Sequence, residues 1–207
     1  MPMISDVKGR NWLVRKPTML AGFAAVVLTL PVAAADAPEA ARARMTARQV
    51  LEETRSVLEG ALAGGQPAAS ALRVCAAIAQ NIALKREQEG WRVRRVSEKV
   101  RNPADTPDAD ERDVLTFWAR EHAAGRLKAT DEHEEIVTEN GRRYFHYMRP
   151  ILIAGPVCLQ CHGEPAKLAP GVAEALKELY PNDQATGYSV GDLRGAISVK
   201  IPMEAQQ

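Results

Sequence analysis

The sequence has no excess of charge of either sign, which excludes one broad class of partner. Its 207 residues include 27 Lys and Arg against 26 Asp and Glu, a formal net charge of +1. Proteins that bind nucleic acid carry a basic surface that neutralises phosphates, and this composition provides none. The hydrophobic share of 46% is ordinary for a globular domain. We therefore expect a globular protein without a nucleic-acid partner.

The chain also lacks an apolar run of the roughly 20 residues that a comfortable membrane span needs. A shorter uncharged run, Thr18 to Leu30, follows four basic residues and precedes small residues that end at Ala35. This pattern is typical of a secretory signal peptide. We predict that residues 1–35 are a cleaved signal peptide and that the mature protein, 36–207, is periplasmic. An uncleaved signal anchor is the alternative. Because the segment has no Arg-Arg pair, the unfolded-chain export route is favoured over the twin-arginine route.

Cysteine is scarce, and two of the three cysteines belong to one motif. Cys158 and Cys161 stand two residues apart and His162 follows directly, which is the C-x-x-C-H pattern of covalent haem attachment. Each thiol can add across a vinyl group of a haem, and the imidazole can ligate the iron. A zinc site would need a second Cys or His pair at short spacing, and the sequence has none. We predict one covalent haem c, attached by the c-type haem assembly machinery, with His162 as proximal ligand.

The residues alone leave the second axial ligand open. Met148 and His146 share a face of the predicted strand that enters the haem segment, and Met is a familiar partner of His in cytochromes c. Met148 also suits plain core filling. With two cysteines in thioethers, Cys75 has no disulfide partner in its own chain, and it lies on the apolar face of a predicted helix. His122 and His133 complete the candidates.

Apolar periodicity and turn residues predict an α+β fold. Helices are expected over 40–62, 67–89, 109–124 and 172–180. Asp108 and Glu111 resemble a capping box that begins the third of them. A strand is expected over 91–100, a hairpin over 133–153 around Asn140-Gly141, and a final hairpin from Tyr188 through a strand that contains Ile197 to Ile201. Local turns between strands indicate an antiparallel sheet, with the helices on one side of it. Residues 36–207 have the length of a single domain.

From about Thr46 to Met203, the chain resembles a family of exported c-type haem domains catalogued as a domain of unknown function. The family occurs alone or as the sensory module of bacterial signalling proteins. The resemblance is carried by Ala71–Cys75, Arg101–Ala104, Tyr147–Pro150, Cys158–Gly163, Tyr180–Asp183 and Gly187–Ala196. It implies a PAS-like antiparallel sheet with N-terminal helices packed on it. It also implies Cys75 as the distal iron ligand opposite His162.

These features lead to an expected function. The first hypothesis is redox or small-ligand sensing, with a gas as ligand and a separate redox or signalling protein as partner. The alternative is a low-potential electron-transfer cytochrome. A haem peroxidase is the third alternative, and it needs an open distal site with an acid–base histidine. His122 is the only candidate for that histidine and no other feature of the sequence supports the role, so we expect no enzyme activity. Arg149 and Arg194 are potential haem propionate partners, but they equally suit solvated surface positions and are not included in the site.

Overall fold

The computed structural model describes residues 38–73 and 90–203, and a four-stranded antiparallel sheet organises them. The strands are β1 (Arg92–Val96), β2 (His133–Glu139), β3 (Arg142–Leu152) and β4 (Leu193–Pro202), in the order β1-β4-β3-β2. The predicted α+β class with an antiparallel sheet is confirmed, and the architecture is PAS-like.

In the described part of the chain, the sheet is accompanied by the α-helices α1 (Pro38–Ala63), α2 (Ala109–Ala123), α3 (Pro156–His162) and α4 (Val172–Leu179). A further helical segment is described over 68–73, at the start of the helix predicted over 67–89. The rest of that helix, including Cys75, and the predicted signal peptide over 1–35 lie outside the described residues. Among the helices that are described, none is long and apolar enough to cross a membrane.

Two local signals form as the sequence predicts. Asp108 caps α2: its side chain accepts the backbone N–H of Glu111, and the Glu111 side chain accepts the N–H of Asp108. The β2–β3 turn places Asn140 and Gly141 at φ of 50° and 77°. Positive φ at both central residues is the requirement of a two-residue hairpin turn, and Asn-Gly meets it best.

The sheet is covered on both faces, in part contrary to expectation. Alternation along β3 sends Tyr147 to one face and Met148 to the other. Tyr147 packs with Val50 of α1, whereas Met148 packs with Leu115 and Trp118 of α2. The prediction of helices on one side therefore holds for α1 and is wrong for α2.

The predicted final hairpin is also wrong. Residues 188–190 are not a strand, and β4 lies between β1 and β3 in the sheet. The backbone just before β4 forms hydrogen bonds with the end of α3 instead of with a strand: Tyr188 N donates to His162 O at 3.0 Å, and Gly187 N donates to Gly163 O at 2.8 Å. The segment before β4 therefore supports the end of α3.

Candidate functional site

The three residues of the C-x-x-C-H motif lie on the short helix α3. Pro156 begins this helix, where its missing N–H costs nothing. The spacing of the two thiols, i and i+3, places them on neighbouring positions of one helix face. Gly163 ends the helix: its N–H donates to Leu159 O at 2.9 Å, and a Cβ there would lie 2.5 Å from that oxygen. Only glycine fits so close an approach.

Each thiol borders a different part of the core. Cys158 packs against a small cluster of Ile153, Ala185 and Tyr188. Cys161 packs against a second cluster that contains Leu72, from the helical segment over 68–73. Both side chains are partly exposed, and they are not joined by a disulfide. Both thiols therefore lie near the surface of α3.

A hydrogen bond orients the His162 ring. Its Nδ1 lies 2.8 Å from the carbonyl oxygen of Ala185. Because a carbonyl oxygen only accepts, Nδ1 carries the hydrogen and Nε2 keeps its lone pair. The Nε of Arg194 lies 3.3 Å from the same Nδ1, so this second contact brings together two donors and is not a hydrogen bond. Burial, followed by the charges of Arg194 and Arg101, holds the pKa of His162 well below its usual value.

Arg101 joins the end of α3 to the segment that supports it. It is 8% exposed, and its Nε and Nη2 donate to the two carboxylate oxygens of Asp183, each at 3.1 Å. Nη2 also donates to Cys161 O at 2.6 Å and to Ala185 O at 3.2 Å. One guanidinium therefore holds both the motif helix and the carbonyl that orients His162.

The structure brings Cys158, Cys161 and His162 together, whereas Cys75 lies outside the described residues. Two of the remaining axial candidates have hydrogen-bond partners of their own. His146 is fully buried, with Nε2 3.1 Å from Ser198 Oγ and Nδ1 3.3 Å from Glu135 Oε1, and His122 Nε2 lies 3.0 Å from Gly191 O. His133 Nε2 lies 3.2 Å from Glu135 Oε1 but makes no hydrogen bond to a described residue.

Sequence reasoning missed two contributors to this site. Arg101 and Asp183 stood among the residues that carry the family resemblance, but no role was assigned to them. Their pairing over 82 residues has no local sequence signal. Arg194, which by sequence equally suits a solvated surface position, lies against His162 in the structure. The assembled site offers two thiols and one imidazole lone pair on a firmly held helix.

Comparison with known proteins agrees with this picture. The model of the Tll0287-like family matches residues 33–202. The chain belongs to the Tll0287-like family. Among solved structures, it is similar to the cyanobacterial heme-protein Tll0287, with a TM-score of 0.57 and 27% sequence identity over 83% of this chain and 99% of that chain. No curated protein matches the sequence. Family membership confirms the predicted resemblance to a haem-domain family of unknown function.

Proposed function

We propose that this protein is a c-type haem protein with a single haem, held by Cys158 and Cys161 and ligated by His162. The observation that carries the proposal is the Nδ1–H hydrogen bond from His162 to Ala185 O. It fixes the ring and leaves Nε2 with the lone pair that an iron ligand needs. Backbone carbonyls that accept the other ring N–H do the same for metal-bound histidines in general. The similar protein Tll0287 is a heme-protein, which supports the same cofactor here.

The cysteines fit the attachment chemistry. Each thiol S–H adds across one vinyl C=C, so that sulfur bonds to one carbon and hydrogen to the other. No oxidant is consumed. Cys158 and Cys161 are partly exposed and lie on one helix, so one haem could meet both thiols. When bound, the haem supplies one-electron redox chemistry at its iron.

Cys75 is the proposed distal ligand. Leu72, three residues before it, packs in the same cluster as Cys161, and three residues span at most about 11 Å of chain. The competing candidates are engaged elsewhere: Met148 packs with Trp118 in the core, and His146 is held by Ser198 and Glu135. A thiolate ligand pushes electron density onto iron, so we expect a low reduction potential.

The proposed role is redox or small-ligand sensing in the periplasm, after export directed by residues 1–35. Cys75 would release the iron on reduction and leave a coordination position for a gas, with a separate protein receiving the signal. A low-potential electron carrier is the second candidate. The rigid attachment of α3 by Arg101, Gly187 and Tyr188 favours it, because a fixed site reorganises little. An enzymatic role is not proposed, since the Nε2 of His122 is engaged by Gly191 O.

The haem proposal is tested by expressing the full chain with a c-type haem assembly system and staining denatured protein for haem. We expect covalent haem in the wild type and none in the double variant Cys158→Ala, Cys161→Ala. Wild-type protein that folds and is exported without haem would contradict the proposal. N-terminal sequencing of the same exported protein tests the signal peptide. A mature chain beginning at Asp36 supports cleavage, and an intact leader supports the anchor.

Carbon monoxide binding to the reduced protein distinguishes the sensing role from the electron-carrier role. If Cys75 leaves the iron on reduction, wild type and Cys75→Ser bind carbon monoxide readily, and Cys75→Ser also does so without the delay of ligand release. In the electron-carrier case, wild type does not bind carbon monoxide, because six-coordination is permanent. Equal rates and affinities in both proteins would argue against a gate formed by Cys75.

A further inference from the structure

A bulge in β4 directs Arg194 toward the end of α3. Ile151 pairs with Gly195 and Leu152 pairs with Leu193, so Arg194 is the extra residue between two consecutive positions of β3. A bulge of this kind breaks the alternation of side chains and turns one of them in a new direction. Gly195 permits it, with φ of +156° and a would-be Cβ only 2.3 Å from Val96 O.

The guanidinium of Arg194 lies in this position, and the described part of the chain gives it no anionic partner. Its Nε meets the protonated Nδ1 of His162 at 3.3 Å, and its Nη1 is 3.5 Å from Lys99 O, a long contact. The guanidinium carbon stands 5.7 Å from the ring centre of Tyr188. Among residues 38–73 and 90–203, no carboxylate lies within ion-pair distance of Arg194. A half-buried guanidinium that lies beside another hydrogen-bond donor is stabilised when an anion binds it.

The neighbouring charges point the same way. Arg101 is paired with Asp183 at 3.1 Å and Arg95 with Asp105 at 3.8 Å, so these two cations are balanced. Lys99 has no carboxylate partner among residues 38–73 and 90–203: its Nζ lies 4.3 Å from the ring centre of Tyr188 and donates to a backbone carbonyl. Lys99 and Arg194 therefore flank one aromatic ring as two cations that no described carboxylate balances. A haem carries two carboxylates of its own.

We infer that Arg194 binds the carboxylate of a haem propionate, and that Lys99, on the same tyrosine ring, is the second cation of this site. The inference rests on the proposed covalent haem. Arginine suits the role because its planar fork donates two parallel hydrogen bonds to a carboxylate. The pairing also removes an energetic cost, since a cation withdrawn from water without a partner loses several kcal/mol.

The test is the pH dependence of the reduction potential of the haem-loaded protein. A guanidinium keeps a paired carboxylate ionised, so the wild-type potential is expected to be flat between about pH 6 and 8. In Arg194→Met the propionate takes up a proton in this range, and uptake is favoured by reduction. The potential of that variant is then expected to fall below the wild-type value at high pH and to rise as the pH falls. Arg194→Lys is expected to restore the flat profile.

Other titratable and charged groups lie around Arg194, and their contribution to the reduction potential must be the same in every variant. They are Lys99, Arg95, Arg101, Asp105, Asp183, Tyr188 and His162. Arg149→Met is the matched control, because it removes the same charge from β3 and is expected to leave the profile flat. A sloped profile in Arg149→Met, or an unchanged one in Arg194→Met, would overturn the inference. So would a uniform downward shift without a slope, which is the result of a charge that pairs with nothing.

A free anion from solution could pair with Arg194 in place of a haem propionate. Redox titrations of the wild type in chloride and in phosphate, at equal ionic strength, distinguish these two partners. Equal potentials support a propionate, and a dependence on the anion that Arg194→Met abolishes overturns it. Haem staining of each variant distinguishes a failure of this inference from a failure of the proposed haem attachment. Wild type without haem contradicts the haem itself, whereas loaded variants with unchanged profiles contradict only the role of Arg194.

Discussion

His162 Nδ1 and the carbonyl oxygen of Ala185 lie 2.8 Å apart, although 23 residues separate them in the sequence. The carbonyl is held in turn by Arg101, whose Nη2 donates to it at 3.2 Å and to Cys161 O at 2.6 Å. The imidazole therefore has one tautomer and one orientation in this structure, and its Nε2 keeps the lone pair.

Replacing Arg101 with Met should destabilise the protein strongly. The change leaves the carboxylate of Asp183, which is 8% exposed, without its cation, and breaking a buried pair costs about 3–5 kcal/mol. Urea unfolding followed by circular dichroism measures the loss. Arg73→Met is the control, since its pair with Glu178 is about half exposed and such pairs contribute about 0–1 kcal/mol. Equal losses in the two variants would show that Arg101 is not a structural clamp.

Gly195→Ala should also unfold more easily than wild type. The new Cβ would lie 2.3 Å from Val96 O at a φ of +156°, and strained backbone of this kind costs about 1–3 kcal/mol before any clash is added. Gly60→Ala provides the contrast, because nothing lies within 4 Å of its Cβ position on α1. Alanine there should stabilise the helix by about 0.5–1 kcal/mol. The same urea titrations compare both, and a neutral Gly195→Ala would mean that the bulge is not needed.

Stability should fall between pH 6.5 and 4 because of His146. Burial, followed by the charge of Lys200, lowers the pKa of His146 from 6.5 to about 4. In this window the unfolded chain binds a proton that the folded chain refuses, so the free energy of unfolding decreases as the pH falls. A shift of this size is worth about 3 kcal/mol. His146→Leu should flatten the profile by that amount relative to wild type. Parallel profiles would contradict the prediction, whatever the absolute stabilities.

The axial ligand can be identified by paired substitutions. Cys75→Ser should abolish the low-spin electron paramagnetic resonance signal of a thiolate-ligated ferric haem. Met148→Leu should leave that signal unchanged, because Met148 is fully buried in the core between the sheet and α2. Met148→Leu should lower the free energy of unfolding by less than about 1.5 kcal/mol, as other volume-conserving core changes do. A signal that changes in Met148→Leu and persists in Cys75→Ser would reverse the assignment.

What the sequence predicts well is local. The capping box of Asp108 and Glu111 and the Asn140-Gly141 turn act over two to three residues, and both form as expected. The position of β4 depends on pairing with β1, about a hundred residues earlier, and periodicity carries no information about such a partner. The Arg101–Asp183 clamp is missed for the same reason. The haem motif is local and readable, whereas its support is assembled only by the fold.

Intact mass spectrometry of the denatured, exported protein tests the central claim most directly. Thioether bonds survive denaturation, so the account predicts a mass greater than that of the apoprotein by one haem. Cys158→Ala and Cys161→Ala should each leave a single attachment, and the double variant should lose the haem altogether. A wild-type chain that carries the mass of the apoprotein after maturation, or a haem that is released on denaturation, would contradict covalent attachment through Cys158 and Cys161.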